Sequence, residues 1–161
     1  MSGLLVGRRI AHNGGKMKIE NTVKVMKQIH PDRILIIKAG TFGYVFGRDA
    51  YIIGYLLNYQ VKKMEGNYCS CGFPISAINK VAKILDDNQI SYMIFIKSEN
   101  YEIETEEIYK KNKYLEIYEK SHKYMIKKNK INEVYNYMME NIDSESIKEK
   151  LSKIEEILYE I

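Results

Sequence analysis

Phe42 and Tyr44 are the residues of this chain whose type and spacing point most directly to chemistry. They sit among Gly40, Gly43 and Gly47 in the run Lys38-Ala-Gly-Thr-Phe-Gly-Tyr-Val-Phe-Gly-Arg48. Rings set between glycines are either folded into a core or offered to a partner, because glycine lets the backbone turn and another group approach closely. Offered outward, each ring can stack on a nucleobase, an interaction of about 1–3 kcal/mol per ring. Lys38, Arg48, Lys62 and Lys63 lie nearby in sequence and would supply a salt-dependent grip on phosphate. Folded inward, Phe42 and Phe46 would be core and Tyr44 would pack on the sheet. The residue pattern alone leaves both readings open; Phe46 is assigned to the core in either.

Other candidate chemistry is weaker. Gly14-Gly15-Lys16-Met17 lacks the upstream glycine and the Ser/Thr of a phosphate-binding loop, so no ATPase is expected. Pro31-Asp32 precedes a strand ending in Lys38, but Ile36 stands where a metal-dependent nuclease would need its second carboxylate. His12, His30 and His122 have no His or acid at helical spacing and read as surface or helix-stripe residues. Cys69 and Cys71, one residue apart on a strand, would face the same way. They lack the second pair of a zinc site and read as two small, semi-buried residues. No set of acid, base and nucleophile assembles, and the expectation is a non-enzyme with no cofactor and no metal.

These residues must be positioned by an α/β (α+β) domain. Val23, Met26 and Ile29 give an apolar face to a first helix over about 20–29, stopped at Pro31. Ile34–Ala39 is a buried strand, and Val45-Phe46 pairs back on it. Asp49–Leu57 is a helix burying Ile52, Ile53, Leu56 and Leu57. Gln60–Met64 and Tyr68–Gly72 make a hairpin around Glu65-Gly66-Asn67. A helix then starts at Pro74 and Ser76, with Ser76 as N-cap and Ile78, Val81, Ala82 and Leu85 inward. Tyr92–Ile96 closes the sheet.

From about Thr105 the period is helical. Ile108, Leu115, Tyr118, His122 and Met125 trace one stripe, and Ile131, Val134, Met138 and Ile142 the next. Asp143-Ser144-Glu145 caps a last helix whose interaction stripe is Ile147, Leu151, Ile154, Leu158 and Ile161. The expected organisation is an N-terminal arm or leader over 1–16, flexible because Asn13-Gly14-Gly15 signals a turn, an α/β domain over 17–100, and a helical tail of two to three helices over 101–161.

The stretch from Arg33 to Leu57 and the residues after it resemble the N-terminal, mismatch-recognising domain I of the DNA mismatch repair protein MutS. That family reads as an apolar strand, then Gly-Asp-Phe-Tyr-Glu-Leu-Phe, then an Asp-Ala helix. Gly40-Thr41-Phe42-Gly43-Tyr44-Val45-Phe46 and Asp49-Ala50 match it here. Val61-Lys62-Lys63 matches a short strand ending in Thr-Lys-Arg, and Gly72-Phe73-Pro74-Ile75-Ser76-Ala77 matches Gly-x-Pro-Tyr-His-Ala. The similarity runs over about 21–96 and implies a mixed β-sheet flanked by helices. It also implies base stacking by Phe42. Tyr44 stands where the family has the Glu that bonds to the mispaired base. Free-standing proteins similar to this domain occur beside diversity-generating retroelements, which rewrite a gene with an error-prone reverse transcriptase. The resemblance therefore implies an accessory protein binding DNA or RNA, with such a reverse transcriptase or another retroelement protein as partner.

Composition agrees with this and limits it. The 161 residues carry a net charge of +4, with 14 Lys/Arg against 7 Asp/Glu in 1–100 and 11 against 14 in 101–161. A basic head permits nucleic-acid binding without requiring it, since a solvated lysine face has the same composition. No apolar run approaches the roughly 18 residues of a membrane span. Two neighbouring cysteines are no disulfide framework, and the expected location is the reducing cytoplasm. A reading from another class makes the head a scaffold and the tail an assembly module, pairing with a partner protein or with a second copy through the Ile147–Ile161 stripe.

Overall fold

The computed structural model describes residues 19–160. The arm expected over 1–16 lies outside them, as does Ile161 of the stripe. The described chain forms two compact units, one ending at His122 and one beginning at Lys123.

The first unit is a six-stranded mixed sheet. In chain order its elements are α1 (19–29), β1 (Ile34–Ala39), β2 (Phe42–Phe46), α2 (Arg48–Leu57), β3 (Lys62–Lys63), β4 (Cys69–Pro74), α3 (Ile78–Asp87), β5 (Tyr92–Lys97), β6 (Tyr101–Glu107) and the start of α4 (Tyr114–Glu140). The strand order is β3-β4-β2-β1-β5-β6. Only β1 and β5 run parallel, with Ile36 opposite Ile94. The apolar run Ile34–Ile37 lies inside the sheet and is covered on both faces, which is why it does not alternate with polar residues. A two-residue turn joins β1 to β2, pairing Ala39 with Phe42. Its first residue, Gly40, has φ +61°, at the position where a type II′ hairpin turn places glycine.

Each face has its own core. Leu35, Ile37, Phe46, Met93 and Phe95 pack under α1, which contributes Val23. On the other face Ile34, Ile36, Val45, Cys71, Phe73 and Ile94 meet Ile52 and Ile53 of α2, Val81 and Leu85 of α3, and Tyr114 and Ile117 of α4.

Several expectations are corrected. Tyr92–Ile96 does not close the sheet. Tyr101–Glu107, expected to belong to the helical tail, is the edge strand β6, antiparallel to β5. Arg33 reaches Glu106 at 2.6 Å and Lys38 reaches Glu104 at 2.9 Å, so two cations near the ends of β1 hold this acidic strand. Ser76 lies in a short 3₁₀ turn, Ile75–Ala77, and α3 starts after Ala77 with no side-chain cap. Ile29 is exposed, and Leu56 and Leu57 are only half-covered. α4 is one continuous helix beginning at Tyr114. Its buried side is Tyr114, Ile117, Ser121 and Met125, while Ile108 and Leu115 are exposed.

The second unit comprises the rest of α4 and α5 (Glu145–Tyr159). Ile147 is buried and Lys150 lies 5.6 Å from the Tyr137 ring centroid. Beyond this corner Leu151 and Leu158 are exposed and Ile154 is half-covered.

Candidate nucleic-acid interface

Alternation along β2 places Phe42, Tyr44 and Phe46 on the α1 face and Gly43 and Val45 on the other. The three rings form a ladder with Tyr68, with successive centroids 6.2, 6.5 and 6.1 Å apart. This lies within the range of aromatic pair contacts. Burial rises along it. Phe42 is 44% exposed, Tyr44 is half-buried and Phe46 is 6% exposed. Phe46 and Tyr68 anchor the ladder to the core, and burial pushes the Tyr68 phenol up to about 12, with the charges of Asp49 and Glu20 adding to it. The Lys24 ammonium lies 4.5 Å from the Tyr68 ring centroid.

Beside the ladder is an open cleft of about 730 Å³. Its floor is Ser70 and Gly72 of β4, cross-strand neighbours of Phe46 and Tyr44. Gln60, Lys62, Met64 and Ile19 of α1 also line it. Lys62 pairs with Ser70 and so lies on the same face as the rings. Among the described residues the polar side chains lining the cleft are those of Lys62, Gln60, Tyr44 and Ser70, with no carboxylate. An aromatic wall beside a cation can hold a flat ring and a neighbouring anionic group at once.

The six residues expected to bind nucleic acid are therefore not one site. Phe42, Tyr44 and Lys62 share the cleft. Lys38 lies opposite Gly43, on the other face, and is paired to Glu104. Lys63 lies opposite Cys69, again on the other face. Arg48 opens α2 and stands 4.9 Å from the Tyr118 ring centroid. The period-2 rule separates Lys62 from Lys63, and Lys38 from Phe42, once the register is known. Ser70 and Gly72 were missed as site residues. Their signal was the alternation Cys69-Ser70-Cys71-Gly72-Phe73, whose two small polar-face positions leave space beside Tyr44.

A largely buried ion pair ties β1 to the helices α1, α2 and α4. Asp49 in the first turn of α2 is fully buried. Its carboxylate accepts from Lys27 of α1 at 2.8 Å, from the Tyr114 hydroxyl of α4 at 2.6 Å and from the Leu35 amide of β1 at 2.9 Å. Burial raises the Asp49 carboxyl above its ordinary value, and Lys27 and these hydrogen bonds act in the opposite direction. Four elements meet at this one side chain. Cys69 and Cys71 are buried thiols on the α2 face, with Cys69 3.3 Å from the Tyr51 hydroxyl, and burial pushes Cys71 up to about 11. His122 packs against the Tyr118 and Tyr51 rings, at 5.8 and 6.2 Å. Among the described residues no group of three or more His, Cys, Asp or Glu could hold a metal ion, and no helix is long and apolar enough to cross a membrane.

A family model for MutS domain I matches residues 18–136. The match runs past Ile96, where the similarity was expected to end, through β6 and into α4. No curated protein matches the chain. The match spans most of the 161 residues and includes the ring ladder, the cleft and the Asp49 cluster. The chain belongs to the MutS domain I family.

Proposed function

We propose that this chain is a non-catalytic nucleic-acid-binding module that uses Phe42 to stack on a base and Lys62 to meet the adjoining phosphate. One observation carries the reading. Phe42 is a large ring left 44% exposed at the end of an anchored ladder, beside a cleft that among the described residues is lined by a cation and no carboxylate. Charge across the sheet supports the same placement. The β6 edge carries four glutamates, of which Glu104 and Glu106 are paired and Glu102 and Glu107 remain to repel a polyanion, whereas the opposite edge carries Lys62 and Lys63. The nucleic acid then lies over the β2-β4-β3 side. With Tyr44 in place of the family Glu, the site stacks on bases without a carboxylate contact to select a mispair. In the cell, this module acts beside the reverse transcriptase of a diversity-generating retroelement, a role supported by resemblance to the accessory proteins of those systems.

Fluorescence anisotropy with labelled single-stranded DNA, duplex DNA and RNA tests the binding. Affinity is expected to fall by an order of magnitude or more between about 50 and 200 mM salt if several phosphates are neutralised. No binding to any of the three at low salt would refute it. Co-purification with a reverse transcriptase encoded beside its gene tests the partner; failure there leaves the module a nucleic-acid binder outside such a system.

A further inference from the structure

α4 and α5 carry the pattern of an antiparallel helix pair that a single chain leaves open. Taken antiparallel in one register, Ile147 falls opposite Met138, Leu151 opposite Val134 and Ile154 opposite Ile131. These are the i, i+3, i+7 positions of α4 and the i, i+4, i+7 positions of α5, the spacing of a buried seam. The same register sets Glu155 opposite Lys130 and brings the acidic end of α5, with Glu156 and Glu160, to the lysine run at 123–130. Two independent features, apolar and charged, thus agree on one alignment. Within the chain only its start is covered: Ile147 is buried at the corner and Met138 and Ile154 are half-covered, whereas Ile131 is 68% exposed and Val134 and Leu151 are each 42% exposed. The ion pairs Lys130–Glu133 and Lys153–Glu149 of this unit each lie within a single helix.

We infer that two copies of this chain close the seam reciprocally, each α5 lying antiparallel on the α4 of the other. The occupant of the exposed face is a second copy because the face is self-complementary: residues 123–130 hold four lysines and no acid, whereas 131–160 hold three lysines against eight acids. An antiparallel exchange sets plus against minus twice. From Ile147 to Leu158 the seam is about 17 Å long at 1.5 Å per residue. Two such seams form a four-helix arrangement with coiled-coil-like packing, and reciprocal exchange of one element is a common route to a dimer. This goes beyond the nucleic-acid reading and does not depend on it.

Crosslinking of the full chain decides the matter. A chain carrying both Val134→Cys and Leu151→Cys, oxidised at micromolar concentration, is expected to run as a covalent dimer, and light scattering of the unaltered chain to give twice the monomer mass. A crosslink formed within one chain, running as a compact monomer, would overturn the proposal, as would a monomer mass at every concentration. Leu151→Asp provides the second arm. It is expected to give a monomer whose head melts at the unaltered temperature, and a Leu151→Asp chain that stays dimeric would place the interface elsewhere and sink the inference.

Discussion

The Tyr44 ring lies against Gly72 on the neighbouring strand, so close that a Cβ on Gly72 would stand 3.3 Å from the ring. Tyr44 and Gly72 are direct cross-strand partners, and the bare backbone of Gly72 lets the ring lie over β4 as the wall of the cleft. The orientation of Tyr44 therefore depends on a residue with no side chain.

Gly72→Val should displace that ring. A branched side chain fits a strand but occupies the space under Tyr44, so nucleic-acid affinity is expected to drop about threefold to tenfold, with unfolding free energy lowered by about 1–3 kcal/mol. Anisotropy and urea titration check the two halves separately. Lost stability with unchanged affinity would mean the ring is packing only.

Lysine substitutions separate the two faces. Lys62→Gln is expected to weaken binding and reduce the salt slope by about one phosphate contact. Lys38→Gln should leave both unchanged, because Lys38 faces the other way and is engaged with Glu104. Equal losses from the two would place the nucleic acid elsewhere.

Asp49→Ala leaves Lys27 without its carboxylate in the interior. Removing one partner of a buried pair costs about 3–5 kcal/mol, so the midpoint of urea unfolding should fall sharply. Tyr114→Phe removes the hydrogen bond its hydroxyl donates to Asp49 and the one it accepts from Lys27 but keeps the ion pair, and is expected to cost about 1–3 kcal/mol. Similar small losses from both would show that the pair is not the tie between α1, β1, α2 and α4.

Stability should decline in alkali. Burial holds the Cys71 thiol at about 11 in the folded chain, against 9.0 for an ordinary thiol. The unfolded chain loses this proton first, so the stabilisation is whole below the ordinary thiol value and is lost as pH rises through the folded one. From pH 9 to pH 10 the loss is about 1 kcal/mol. Cys71→Ala should remove that part of the pH dependence, measured as the difference between the two urea curves at each pH. Parallel curves over this range would contradict the assignment.

The head was legible in the sequence where local pattern and tertiary demand agree. Ile34–Ile37 is apolar at every position because both faces are covered, and Val81 with Leu85 marks the inner side of α3 at helical spacing. β6 was not legible. Glu is depleted in strands, and Tyr101–Glu107 carries four of them. They are tolerated because the strand is an edge, where charge also discourages pairing with other chains, and because Arg33 and Lys38 neutralise two of them. Mistaking that strand for helix shifted the stripe of α4 by one residue, from Leu115 and Tyr118 to Tyr114 and Ile117. The candidate site was half legible. Phe42 and Tyr44 announce themselves by type, but whether Lys38, Lys62 or Lys63 joins them depends on strand register, which is set by pairings between residues far apart in the chain. Asp49 gave little signal, since an acid in the first turn of a helix is ordinary on a surface; only its burial with Lys27 makes it a tie point.

The most direct measurement is the affinity of Phe42→Ala for a labelled single strand, beside that of the unaltered chain at equal salt and with both melting curves in hand. Phe42 is exposed enough that its loss should barely move the melting temperature. The affinity is expected to be at least fivefold lower, corresponding to about 1–3 kcal/mol for a stacked ring. An unchanged affinity with an unchanged melting curve would contradict it.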